Sequence, residues 1–96
     1  MSYQFDDFNG CINQPFTLQL DESTNFPLTL ISVDQSPGSA TVDEHNAFSV
    51  VFRGNSTHIL EQQTYSISND ILGDMALFIV PIGPDDEGMC YEAVFS

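Results

Sequence analysis

Between residues 15 and 20 the chain alternates apolar and polar side chains, with Phe16, Leu18 and Leu20 set against Thr17 and Gln19. A period of two is the pattern of a strand with one buried face. The polar stretch Asp21-Glu22-Ser23-Thr24-Asn25 follows, and residues 26–33 then resume the alternation with Phe26, Leu28 and Leu30 on one side. Together they predict a hairpin with a loop of about five residues. Residues 47–53, 64–68 and 89–95 repeat the strand pattern, the last setting Tyr91, Ala93 and Phe95 against Cys90, Glu92 and Val94. Residues 75–82 are apolar at almost every position, including Phe78 and Val80. That predicts a strand covered on both faces.

The segments between are rich in turn chemistry. Gly54-Asn55, Asn69-Asp70-Ile71-Leu72-Gly73-Asp74 and Gly83-Pro84-Asp85-Asp86-Glu87-Gly88 each punctuate the chain. Residues 34–46, with Ser36-Pro37-Gly38-Ser39 and Asp43-Glu44-His45-Asn46, form the longest expected loop. One helical segment is predicted, over residues 3–12, where Phe5, Phe8 and Ile12 share a face and Ser2 can cap. Gly10 limits it to a turn or two. Six short strands and one helical turn predict a single all-β domain over residues 1–96, an antiparallel sandwich or a partly open barrel.

Composition changes this picture in one respect. Fourteen acids face a single base, Arg53, there is no lysine, and the net charge is −13. Phosphate binding draws on Lys and Arg, so no direct contact with nucleic acid or an anionic membrane is expected. Such a charge admits a basic protein surface, a divalent cation, or a nucleic-acid-binding protein that accepts an acidic mimic. The plain alternative is a solvated acidic surface. The first residues carry no basic stretch followed by an apolar run, so synthesis in the cytoplasm is expected.

Candidate chemistry is sparse. No Gly-x-Ser-x-Gly elbow surrounds any serine, and His45 and His58 fall in or near loops. Cys11, His45, His58 and Cys90 lack the close pairing of structural zinc ligands, and both cysteines are read as small core residues. The acids of the turns do not follow a calcium-loop spacing. No catalytic, cofactor-binding or metal-binding residue is therefore assigned, and the expectation is a protein without enzymatic activity. Arg53 and Glu92, the latter interrupting an apolar strand, are expected to form a structural ion pair. Asp43, Glu44, Asp85, Asp86 and Glu87 form a candidate acidic interaction surface.

Several segments, above all Leu77-Phe78-Ile79-Val80-Pro81-Ile82-Gly83-Pro84-Asp85 followed by Tyr91-Glu92-Ala93-Val94-Phe95, resemble a family of small bacterial domains of unknown function. The resemblance covers nearly the whole chain and implies an association with proteins carrying a phage tail-collar domain. The chain departs from the family pattern at Gln63, where glycine is usual, and at Asn69-Asp70, where a histidine-containing segment is usual. The expected function is accordingly that of a structural or interaction subunit of a phage-tail-related or other bacterial assembly, with protein partners, a second copy of the chain among them. The alternative is an acidic nucleic-acid mimic that inhibits a DNA- or RNA-binding protein. A small-ligand or metal-binding β domain ranks third.

Overall fold

A computed structural model describes residues 5–35, 48–55 and 59–95. After a short helix α1 (Phe5–Asn9) come six strands: β1 (Pro15–Asp21), β2 (Thr24–Gln35), β3 (Phe48–Gly54), β4 (Gln63–Asn69), β5 (Gly73–Pro84) and β6 (Met89–Phe95). The strands close into an antiparallel barrel in the order β1-β2-β3-β6-β5-β4. Two three-stranded meanders, β1-β2-β3 and β4-β5-β6, are thus joined by the pairings β3·β6 and β1·β4. The β3·β6 joint runs from Phe48↔Phe95 to Gly54↔Met89, whereas the β1·β4 seam is confined to Thr17–Gln19 against Ser66–Ser68.

The period-two pattern fills the barrel. Phe16, Leu18, Leu28, Leu30, Val50, Phe52, Ile67, Ile79, Tyr91 and Ala93 all point inward and are buried. Both mouths are plugged. At one, α1 lays Phe8 between Phe16, Phe48 and Phe95, with ring centroids 5.1–6.3 Å apart, and Phe48 stacks on Phe95 at 4.6 Å. Such ring pairs add to the gain from area burial. At the other mouth β3 ends and β4 begins. Leu60, which precedes β4, is buried in the core there, and its N–H donates to the Tyr91 hydroxyl at 2.9 Å.

Three turns share one device, a side-chain oxygen that accepts the backbone N–H groups the turn leaves without partners. In the β1–β2 turn, Asp21 Oδ1 accepts from Ser23 N at 2.9 Å. In the β4–β5 turn, Asn69 Oδ1 accepts from Ile71 N and Leu72 N at 2.8 and 2.9 Å. In the β5–β6 turn, Asp85 Oδ1 accepts from Glu87 N and Gly88 N at 2.8 and 3.0 Å. Gly73 closes the second of these turns with φ of 82°, where a side chain would be strained. Gly88 closes the third against the backbone of Gly54; a Cβ there would collide with the Gly54 carbonyl oxygen.

Several expectations change. The first hairpin turns on Glu22 and Ser23 alone, because Asp21 ties the turn and lets the polar residues Thr24 and Asn25 begin β2. Strand β2 runs on through Asp34 and Gln35, so the expected loop starts later; residues 36–47 lie outside those described. Helix α1 is shorter than predicted, and the proposed cap Ser2 also lies outside the described residues. Among the described residues, closure leaves no whole strand as a free edge. Most consequentially, β5 is not covered on both faces. Its burial alternates from Met75 to Ile79, and Phe78 and Ile82 are each 51% exposed.

Candidate functional site

The β5–β6 hairpin and its neighbour β3 carry most of the residues singled out by the sequence. A bulge between Pro81 and Gly83 bends β5, after which Gly83 pairs with Cys90 and Pro84 with Met89. Across β6, Cys90 pairs with Arg53, Glu92 with Val51 and Val94 with Ser49. Residues directly opposite on one face lie close enough for their side chains to interact. The outer surface is therefore laid out in rows. One runs Arg53, Cys90, Gly83. The next runs Ser32, Val51, Glu92, Val80. A third runs Asp34, Ser49, Val94.

Arg53 does not pair with Glu92. Its Nε donates to Asp85 Oδ2 at 2.9 Å and its Nη2 to the same oxygen at 2.5 Å, while Nη1 lies 3.6 Å from Glu87 Oε1. The reason is register: Glu92 stands opposite Val51, a diagonal step from Arg53, whereas Asp85 is already held in place by the turn. The Arg53 guanidinium, helped by the N–H groups of Glu87 and Gly88, holds the Asp85 carboxyl well below the usual carboxylate range. A group depressed in this way stabilises the fold above its ordinary value of 3.8, and loses that contribution as pH falls below it. Asp85→Asn keeps the oxygen that ties the turn and removes the charge. The Tm difference between wild type and this variant is expected to be constant above about pH 5 and to shrink steadily toward pH 2. A difference that does not change with pH would show that the ion pair contributes nothing to stability.

Cys90 is buried, but under this ion pair on the outer face rather than in the core; burial and the Asp85 charge push its thiol up. Cys11 belongs to the core cluster, its Sγ lies 3.9 Å from Asn69 Oδ1, and burial likewise raises its thiol. Both are free thiols. Of the expected acidic surface, Asp85 and Glu87 are engaged by Arg53, Asp86 is exposed beside them, and Asp43 and Glu44 lie outside the described residues, as do His45 and His58.

Apart from Asp34 and Glu92 on the side wall, the described carboxylates divide between the barrel mouths. Asp6, Asp7, Asp70 and Asp74 sit toward the α1 end, and Asp21, Glu22, Glu61, Asp85, Asp86 and Glu87 toward the other. Two shallow depressions flank the β1·β4 seam. Thr17, Gln19, Ser66, Ile67, Ser68 and Asp74 line about 250 Å³, and Leu20, Ile59, Leu60, Glu61, Gln63 and Tyr65 line about 310 Å³. Among the described residues, no three His, Cys, Asp or Glu side chains converge as a metal site would require.

What the hairpin does present is apolar surface. Phe78 and Val80 follow each other on the outer side of β5, Ile82 stands out at the bulge, and Val94 on β6 is 69% exposed. Val51 and Val80, both half-buried, flank Glu92 in its row. Sequence reading missed this face because an unbroken apolar strand looks the same whether a neighbouring layer or an absent partner covers it. The usable signal was Glu92, a charge no doubly covered strand pair would place there. No curated protein and no solved structure matches the chain. A family described as Domain of unknown function (DUF6916) matches residues 3–95, and the chain belongs to that family.

Proposed function

We propose that this domain is a non-enzymatic interaction subunit of a bacterial multiprotein assembly and that it docks through the outer face of β3, β5 and β6. The observation that carries the reading is the group of outward apolar side chains, Phe78, Val80, Ile82 and Val94, on neighbouring strands of a barrel whose own core is already filled. Grouped exposed apolar side chains of this kind mark contact surfaces, whereas single ones carry no message. A tail-related setting is supported by the sequence resemblance alone, and the segment bearing that resemblance is the hairpin that forms the face. An acidic mimic of nucleic acid is the weaker reading, because it calls for carboxylates in a phosphate-like row, and most of those described gather at opposite mouths of the barrel, with only Asp34 and Glu92 on the wall between.

The test is capture of partners by the tagged domain from its host lysate, at low and moderate salt, beside a Phe78→Glu, Val94→Glu variant. Both positions are exposed, so the variant's stability is expected to stay within about 1 kcal/mol of wild type. Wild type should retain partners at moderate salt and the variant should lose them. Equal capture by both proteins would remove the face from the function. Capture of a basic nucleic-acid enzyme that vanishes as salt rises would favour the mimic.

A further inference from the structure

Resting on that reading of the face, we infer that its occupant is a basic protein surface that sets an arginine or lysine on Glu92 inside an apolar rim, and not a second copy of this chain. Glu92 is half-buried between Val51 and Val80, with Val94 two residues along the same side of β6. Among the described residues it has no ion-pair partner, since Arg53 is engaged by Asp85 and Glu87. A purely apolar cover would strip water from this carboxylate and leave it unpaired, an outcome that costs several kcal/mol per ion. The cover must therefore bring a cation, and a guanidinium can take both carboxylate oxygens in parallel hydrogen bonds.

A second copy brings no arginine or lysine that is free to pair. A two-fold contact sets the same patch on both sides, so each Glu92 would meet a surface whose one arginine is already paired. The chain has no lysine, and each copy carries a net charge of −13. A partner of the opposite sign is favoured before contact as well. Asp34 stands one row from Glu92, and Asp86 and Glu87 lie at the end of the hairpin, so the acids around the face outnumber its single base, Arg53. Such a field raises the encounter rate with a basic surface and repels a like one.

The probe is a synthetic amphipathic helical peptide with a leucine face flanked by arginines, titrated against the full chain by fluorescence anisotropy. Binding is expected to weaken about tenfold in Glu92→Gln and further in Glu92→Lys, the size of one lost charge pair. Asp70→Lys makes the same charge change in the β4–β5 turn and is expected to alter binding less than about threefold, because exposed charges beyond a Debye length are screened. Equal weakening by Asp70→Lys and Glu92→Lys, or no binding of the peptide, would overturn the inference. A dimer seen by sedimentation and dispersed by Phe78→Glu would also overturn it, while leaving the face as a docking surface. If Phe78→Glu changes neither peptide binding nor association state, the face itself falls, and the proposed function with it.

Discussion

Replacing Asn69 with alanine is expected to destabilise the domain by about 2–4 kcal/mol, a fall in Tm of roughly 10–25 °C for a chain of this size. Asn69 is the one buried polar residue of the described core, at 8% exposure. Its Oδ1 accepts two N–H groups of the β4–β5 turn, and its Nδ2 donates to the Pro15 carbonyl at 3.0 Å. One side chain thus shapes a turn and fastens it to the start of β1, beside the short β1·β4 seam. Alanine would leave those three backbone groups without the amide, and each net hydrogen bond lost costs about 1 kcal/mol, more where water cannot replace the partner. Thermal unfolding checks this. A loss below about 0.5 kcal/mol would mean the turn closes on its backbone alone.

The second large effect is at the opposite mouth. Leu60→Ala is expected to cost about 2–5 kcal/mol, the range for truncating a fully buried leucine. Leu60 is 1% exposed although it belongs to a connection, and it is tethered by the hydrogen bond from its N–H to Tyr91 Oη. Tyr91→Phe removes only the tether and is expected to cost about 1–2 kcal/mol. Because tether and plug act on one segment, the double variant should lose less than the sum of the two singles. Denaturant unfolding of all four proteins measures the coupling. Strict additivity would mean the segment is held by something other than this pair.

The strands were legible because their side chains alternate, and the turns because Gly, Asp and Asn stand where the chain reverses. Closure was not. It depends on β3 meeting β6 and β1 meeting β4, pairings between residues 35 to 51 positions apart that no local pattern announces. Leu60 was hidden because Gly54-Asn55 and the polar residues after it look like an ordinary loop. The partner of Arg53 was hidden for a different reason. Choosing between Asp85 and Glu92 requires the β3·β6 register, which sets Arg53 opposite Cys90 and leaves Glu92 a diagonal away. The candidate face was half legible: the apolar run of β5 and the lone acid of β6 stand out in the sequence, but a sequence pattern alone points to burial for the one and to an internal ion pair for the other.

Strand β6 lies between β3 and β5, yet it is the last of the six to be synthesised. A growing chain can form the meander β1-β2-β3 and the hairpin β4-β5 while their two facing margins still lack the strand that joins them. Those margins are ladders of unpaired backbone groups, the kind that pair with other chains when left open. The interval before β6 arrives is therefore when this barrel is most exposed to misassembly, and the reserve of negative charge that repels copies of the finished domain would hold apart neighbouring nascent chains as well.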